Sequence, residues 1–158
     1  MRKHIIPPVQ ENILKSGEDW LQLEHLAQVE ITSEEAEHPV ESALLSNHGE
    51  GWRAAGPGAQ LLRLRFDTPQ QLRRIHLRFT ELTSERTQEF VLRYSSDHGQ
   101  SFREIVRQQW NFSPWSAMSE VEDYRVELSD VTVLELAINP DISGGNACAS
   151  LAELRLAA

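Results

Sequence analysis

Residues 60–102 read QLLRLRFDTPQQLRRIHLRFTELTSERTQEFVLRYSSDHGQSF, and the alternation of apolar and polar side chains in this stretch decides the fold. From residue 62 to residue 66, leucine and phenylalanine alternate with arginine, which is the period of a strand with one buried and one exposed face. The same period recurs at residues 75–80 and again at residues 90–95. Three antiparallel strands are therefore expected within this one stretch.

Turn residues separate these strands. Asp67-Thr68-Pro69 is expected to end the first strand, and residues 96–100 are expected to form a tight turn. Glycine adopts positive φ at no steric cost, so Gly99 suits a hairpin that returns the chain into Phe102. An antiparallel sheet is the expected result.

The rest of the chain continues the pattern of short strands. One or two helical turns are expected over residues 39–45, a glycine- and proline-rich loop over 54–58, and a long aromatic connection over 108–119. Further strands are expected near residues 29–33, 102–106, 124–128, 131–138 and 151–156. Many short strands with almost no helical pattern predict an all-β antiparallel sandwich or jelly roll of about eight strands.

The length of 158 residues predicts one domain, with an arm at residues 1–27 packed on a sandwich formed by residues 28–158. A net charge of −9 disfavours attachment to nucleic acid or to an anionic membrane. Cys148 is the only cysteine, so an intrachain disulfide is excluded, and a buried side chain is expected there. No signal-peptide pattern or membrane-spanning run is present, which predicts a cytoplasmic location, or an extracellular one if the chain was excised from a longer precursor.

Four segments, read in order, resemble one family. Gly51-Trp52-Arg53-Ala54 is followed by the strand at 60–66, the turn segment at 94–102 and a last segment at 149–154. Together they resemble discoidin (coagulation factor 5/8 type C) domains and the related galactose-binding-like carbohydrate-binding modules. The resemblance implies an eight-stranded jelly roll that binds ligands without catalysis, with Trp52 in the core.

Many relatives in that family hold a structural calcium ion with an aspartate-rich turn before the tryptophan and a glutamate on the last strand. Glu153 matches the glutamate, but the turn at residues 45–50 offers only Asn47 and Glu50 and contains no aspartate. Calcium requires six to eight oxygen ligands with sufficient negative charge. We therefore expect no cofactor, with a weak calcium site of Asn47, Glu50 and Glu153 as the alternative, and pairing of Glu153 with an arginine as the plainer role.

Residues 109–115 hold three aromatic side chains, at positions 110, 112 and 115. Such rings stack on sugars or bases, or they pack beneath a loop as a local core, and both interpretations remain open here. Trp115 follows a proline and is expected to be exposed. Because the resemblance implies that loops from distant parts of the sequence meet at one end of the sandwich, the expected ligand contacts are Arg53, Trp110, Trp115, Asn139 and Asn146.

The arginines of the strands are the remaining candidates for a binding surface. Arg63, Arg65, Arg78, Arg93 and His76 occupy the outward phase, which on its own would suit nucleic acid. Glu127 and Glu135 share that phase, so cross-strand ion pairs are the expected explanation.

The sequence contains neither a nucleophile elbow, nor a metalloprotease helix, nor a phosphate-binding glycine loop. The sequence therefore predicts a non-enzymatic binding module whose partner is a carbohydrate or a similar small polar ligand. The alternative is a protein-interaction module. Neither nucleic acid nor membrane is an expected partner.

Overall fold

The computed structural model describes residues 20–45 and 50–158. Over these ranges the elements in chain order are α1 (Leu23–Leu26), β1 (Ala27–Ile31), α2 (Glu41–Leu44), β2 (Trp52–Pro57), β3 (Gln60–Thr80), β4 (Arg86–Ser95), β5 (Arg103–Phe112), β6 (Ser119–Asn139), β7 (Cys148–Leu151) and β8 (Glu153–Ala157). Both helices in these ranges are a single turn, and neither approaches the length or apolarity needed to cross a membrane.

The two longest strands, β3 and β6, organise the molecule. They pair antiparallel along their full lengths, from Gln60 opposite Ile138 to Thr80 opposite Ser119. The register shifts between Arg65 and Arg74, so the ladder is irregular near its middle. On β3, β1 pairs only with the first half and β8 only with the second half. Each long strand therefore contributes one half to each layer of a sandwich.

The other strands complete the two layers. β4 pairs with the second half of β6, and β5 pairs with β4 at the edge. β2 and β7 form a separate two-stranded sheet. The observed architecture is an antiparallel β-sandwich of eight strands over the described residues, which confirms the predicted jelly roll.

Strand alternation places the core between the layers. Leu62 and Leu64 point inward from the first half of β3, and Leu77 and Phe79 point inward from its second half. The rings of Phe79 and Phe90 lie 5.2 Å apart between centroids, so the second half of β3 packs on β4 across the core. Removal of these apolar faces from water is the main force that holds the layers together.

Trp52 is buried in this core, as the family resemblance implied. Its indole Nε1 donates a hydrogen bond of 2.9 Å to the carbonyl oxygen of Ser33. The ring therefore packs with its single polar atom satisfied.

Two predictions of connections were wrong. Residues 54–58 were expected to form a loop, but β2 extends to Pro57, and its pairing with β7 shifts register between Arg53 and Pro57. This irregularity accommodates the glycine and proline within a strand. Residues 108–119 were expected to form a long connection, but β5 extends to Phe112 because β4 pairs with it as far back as Arg86.

Two further boundaries differ from the sequence prediction. Asp67-Thr68-Pro69 does not end a strand, since β3 continues through it at the irregular middle of the ladder. The single strand expected at residues 151–156 is interrupted at Ala152, so that β7 and β8 belong to different sheets. In both places tertiary pairing, which a local pattern does not contain, decided the outcome.

The arginines on the outward faces of β4 and of the first half of β3 form ion pairs with glutamates. The carboxylate of Glu135 lies 2.8 Å from Arg63 and 3.2 Å from Arg93, and Glu30 lies 2.7 Å from Arg65. The predicted cross-strand ion pairs are thus confirmed for Glu135. Glu127 makes no such pair among residues 20–45 and 50–158.

The predicted N-terminal arm is described only from Trp20 onward. Trp20 forms a β-bridge with Ala157, and the guanidinium carbon of Arg74 lies 4.7 Å from its ring centroid. Residues 1–19, which make up most of the predicted arm, lie outside the described residues.

Substitutions on the buried and exposed faces of β3 should differ in their effect on the free energy of unfolding. Leu64→Ala or Leu77→Ala should lower the free energy of unfolding by about 2–5 kcal/mol, because both side chains are fully buried. Arg65→Ala should cost less than about 1 kcal/mol, since its ion pair is screened by solvent. Leu82→Ala is the matched leucine control, as this side chain is 72% exposed. Urea unfolding measures all four, and a cost for Arg65→Ala as large as that for Leu64→Ala would contradict the register of β3.

Candidate functional site

Three connections meet at one end of the sandwich: residues 81–85, 113–118 and 140–147. The backbone N–H of Glu81 donates to the carbonyl oxygen of Met118 at 2.8 Å, which joins the first connection to the second. The N–H of Ile142 donates to the carbonyl oxygen of Thr87 at 2.9 Å, which holds the third connection against the start of β4. These bonds bring parts of the chain that are distant in sequence to one end of the fold.

A groove lies at this end. It consists of two adjoining pockets of about 320 Å³ and 230 Å³, both lined by Arg53, Glu81, Thr83 and Cys148. The other residues that matter for its chemistry are Glu85, Asp141 and Asn146 in the larger pocket and His38 and Glu50 in the smaller. We refer to these two pockets together as the Arg53 groove. Its lining is mainly polar, so it suits a hydroxylated ligand better than an apolar one.

The backbone around Arg53 fixes the position of that side chain. Its N–H donates to the carbonyl oxygen of His38 at 3.1 Å, and its carbonyl oxygen accepts from the N–H of Glu35 at 2.8 Å. The Nε atom lies 3.2 Å from Oε1 of Glu35. The terminal guanidinium nitrogens make no hydrogen bond among the described residues. Arg53 therefore offers oriented hydrogen-bond donors to whatever occupies the groove.

His38 shares the carboxylate of Glu35 with Arg53. Its Nδ1 lies 3.5 Å from Oε1 of Glu35, and its Nε2 lies 4.0 Å from the carboxylate of Glu50. Arg53 and His38 thus lie side by side at the smaller pocket, each within ion-pair distance of Glu35, although Oε1 of Glu35 and Nδ1 of His38 make no hydrogen bond among the described residues.

Glu81 forms part of the wall of both pockets. Burial alone would raise the pKa of Glu81, but hydrogen bonds from Arg86 and Thr83 outweigh it, so the pKa lies below its ordinary value. Oε1 of Glu81 accepts from Nε of Arg86 at 2.6 Å, and Oε2 accepts from the N–H of Thr83 at 3.1 Å. Glu81 therefore favours its ionised form, and its charge is matched by the guanidinium of Arg86.

A buried polar network supports this wall. The side chain of Arg86 is almost fully buried, and its Nη1 donates to Oε1 of Gln88 at 3.1 Å and to the carbonyl oxygen of Pro140 at 2.8 Å. Nε2 of Gln88 in turn donates to Oε1 of Glu120 at 3.3 Å, across the core. Arg86 thus anchors both the 81–85 and the 140–147 connections from within the sandwich.

Glu120 ends the network as a fully buried carboxyl group. Its Oε2 has no hydrogen-bond partner among the described residues. Burial, followed by the neighbouring carboxyl of Glu122, raises the pKa of Glu120 to about 8. The group is therefore mostly protonated and neutral at pH 7, which avoids an uncompensated charge in the core.

Two of the five predicted ligand residues come together. Arg53 and Asn146 both line the larger pocket. Asn139 lines neither pocket; its Oδ1 accepts from the N–H of Asp141 at 3.3 Å and so shapes the following connection. Trp110 lies on β5, half-buried against the core. Trp115 lies in the 113–118 connection and is 88% exposed, as expected. It lines neither pocket.

Sequence reasoning missed five of the groove residues named above: His38, Glu81, Thr83, Glu85 and Asp141. All but His38 lie in the connections that follow β3 and β6, and only the pairing of the strands shows that the two connections share an end of the sandwich. Cys148 was expected to be buried, and the structure places it half-buried in the groove lining, at the start of β7.

Two of the three calcium candidates, Glu50 and Glu153, lie among the described residues. Glu153 lies 3.6 Å from Arg78, 3.7 Å from His76 and 3.9 Å from Arg155, as expected for a glutamate that pairs with arginine. Glu50 lies at the groove, and Asn47 lies outside the described residues. Within residues 20–45 and 50–158, no three acidic, histidine or cysteine side chains are arranged to hold a metal ion.

Comparison with known proteins supports the fold. No protein-family model and no curated protein matches the sequence. Among solved structures, the family 32 carbohydrate-binding module of Clostridium perfringens NanJ, in complex with galactose, has a TM-score of 0.65 at 14% identity over 87% of this chain and 97% of that chain. The module CpGH89CBM32-5 of the same organism, in complex with GalNAc-β-1,3-galactose, has a TM-score of 0.62 at 18% identity over 88% of this chain and 99% of that chain.

A third solved structure is similar to the same extent. It is the family 32 module of AlyQ in complex with 4,5-unsaturated mannuronic acid, with a TM-score of 0.61 at 16% identity over 83% of this chain and 94% of that chain. The resemblance expected from the sequence is therefore confirmed at the level of the fold, which is the galactose-binding-like jelly roll.

The neutral state of Glu120 should make stability depend on pH. The folded state keeps this proton up to about pH 8, whereas an unfolded glutamate releases it near pH 4.5, so the free energy of unfolding should fall as pH rises between these values. Glu120→Gln should flatten that slope and should exceed the wild type in stability at pH 9. Glu127→Gln, at an exposed position on β6, is the control. Chemical denaturation at several pH values measures the effect, and equal slopes for wild type and Glu120→Gln would contradict it.

Removal of calcium should leave the fold intact. Glu153 already lies beside three cationic or histidine side chains, so its charge does not need a metal ion as a partner. We expect the melting temperature to be the same with a calcium chelator as with added calcium. A drop of several degrees on chelation would instead assign a metal site that includes Glu50, Asn47 or Glu153.

Proposed function

We propose that this chain is a non-catalytic binding module that recognises a carbohydrate through the Arg53 groove. The observation that carries the proposal is the placement of Arg53, whose backbone hydrogen bonds and ion pair with Glu35 hold it in the wall of both pockets while its terminal nitrogens make no hydrogen bond among the described residues. A donor that is already oriented loses little entropy when a sugar hydroxyl binds to it. The fold of the solved sugar-binding modules supports this use of the site.

The other groove side chains suit hydroxyl groups as well. The amide of Asn146 offers both a donor and an acceptor, and the hydroxyl of Thr83 does the same. The carboxylates of Glu81 and Asp141 accept hydrogen bonds from sugar hydroxyls. A ring with several hydroxyls can therefore satisfy donors and acceptors on several sides of the groove at once.

Trp115 is proposed as a second contact for a longer ligand. Its connection is joined to the groove wall by the bond from Glu81 to Met118, and its indole is almost fully exposed. An exposed indole stacks well on the apolar face of a sugar ring. A ligand of two or more sugar units would extend from the groove toward this ring.

A second candidate function rests on the apolar residues at the same end. Leu82, Trp115, Met118 and Ile142 belong to the three connections and are all exposed. Exposed apolar side chains near one another favour contact with another protein. Light scattering tests this alternative, because self-association through this end should yield a dimer that Leu82→Ser and Trp115→Ser variants disrupt.

Substitution of groove residues should reduce sugar binding without unfolding the protein. For a sugar identified on a glycan array, Arg53→Ala and Asn146→Ala should each weaken binding about tenfold to hundredfold, which corresponds to 1–3 kcal/mol of lost hydrogen bonding. Trp115→Ala should weaken binding of oligosaccharides more than that of the monosaccharide. Isothermal titration calorimetry gives the dissociation constants, and thermal denaturation confirms that each variant is folded.

Arg107→Ala is the matched control for this experiment. Arg107 lies on β5 with 47% of its side chain exposed, against 51% for Arg53, and it too is paired with glutamate. Binding by this variant should equal that of the wild type. An array without any bound glycan, or unchanged binding by both Arg53→Ala and Asn146→Ala, would show that the Arg53 groove is not a sugar site.

A further inference from the structure

The charge balance of the Arg53 groove restricts which sugars it can hold. Four carboxylates line its two pockets, and Arg53 and His38 are the basic side chains beside them. The carboxylates are those of Glu50, Glu81, Glu85 and Asp141. The surrounding protein adds to this field, since the whole chain carries a net charge of −9.

The cationic groups of the groove are already matched by acidic partners. Nε of Arg53 lies 3.2 Å from Glu35, and the same carboxylate oxygen lies 3.5 Å from His38. A carboxylate ligand binds tightly to arginine when the guanidinium is free to form two parallel bonds and its charge is not offset. Arg53 is instead offset by Glu35, so it supplies donors for hydroxyl groups without supplying net positive charge.

The acidic groups of the groove differ in their partners. Glu81 accepts hydrogen bonds from Arg86 and Thr83 that favour its ionised form. Oδ1 of Asp141 accepts from the N–H of Ser143 at 3.0 Å. Glu50 and Glu85 are exposed to water, with 90% of the Glu50 side chain accessible. Glu85 and Asp141 make no ion pair among the described residues, so a ligand carboxylate brought into the larger pocket would meet like charge without a cationic partner.

We propose that the Arg53 groove selects uncharged sugars, such as neutral hexoses and N-acetylhexosamines, and rejects sugars that carry a carboxylate. This inference rests on the proposed function and names the ligand class of the same site. Selection acts by repulsion, since the hydroxyl contacts available to a neutral hexose and to its uronic acid are otherwise the same. The carboxylates of the larger pocket that make no ion pair, Glu85 and Asp141, set the discrimination, whereas the charge of Glu81 is matched by Arg86.

Matched pairs of sugars test the proposal on the whole protein. The pairs are galactose and galacturonate, glucose and glucuronate, and mannose and mannuronate, so that each pair differs only in the oxidation state of one carbon. In low salt, the acid should bind at least tenfold more weakly than the neutral member of any pair that binds. The ratio of the two dissociation constants should decrease at 1 M salt, because the screening length for electrostatic interactions is then only about 3 Å.

Variants show whether the groove is the source of the discrimination. A Glu85→Gln, Asp141→Asn double variant should narrow the gap between acid and neutral sugar, whereas Glu127→Gln, which lies outside both pockets, should leave it unchanged. Acids that bind as tightly as their neutral partners would overturn the proposal while leaving the sugar site intact. A difference in affinity between acid and neutral sugar that changes neither with salt nor in the double variant would also overturn the proposal. If no sugar binds on this panel or on the glycan array, the proposed function is wrong and this inference falls with it.

Discussion

The full-length pairing of β3 with β6 is the constraint on which the rest of the structure depends. Because β3 meets β1 along one half and β8 along the other, the two long strands belong to both layers of the sandwich. Their ends therefore come together at one end of the fold, and the connections that follow them share that end. Glu81, Thr83, Glu85, Asp141 and Asn146 lie in these connections, whereas Arg53 and Cys148 lie on the separate β2–β7 sheet.

The buried polar network beneath the Arg53 groove holds the wall of the groove in place. A buried arginine is costly unless each donor finds an acceptor, and Arg86 finds acceptors on Glu81, Gln88 and Pro140. The network then ends at a carboxyl group that stays neutral instead of leaving a charge in the core. The same contacts that satisfy Arg86 hold two connections in place, so the groove is formed before a ligand arrives. A preformed site recognises a sugar through orientation more than through buried area.

Sequence alone predicted what depends on local pattern. The alternation over residues 62–66 gave the buried face of β3 correctly, and the proline before Trp115 was a sufficient signal for its exposure. The groove was only half predicted, because Arg53 and Asn146 were expected whereas Glu81 was not. An alternation of apolar and polar residues indicates which face of a strand is buried, but it does not indicate which strands are neighbours in the sheet. Which loops lie close together depends on those neighbours. For the same reason the extent of β5, and with it the half-buried position of Trp110, could not be read from residues 108–112 alone.

The central claim is that the Arg53 groove is where a sugar binds, and NMR chemical-shift mapping tests it most directly. Titration of the labelled protein with a sugar found on the array should shift the backbone amide signals of Arg53, Thr83 and Asn146 along one saturable curve. Signals from β5, where Trp110 lies, should not move. Shifts confined to β5 or to the outer strand faces, with the groove signals unchanged, would contradict the account.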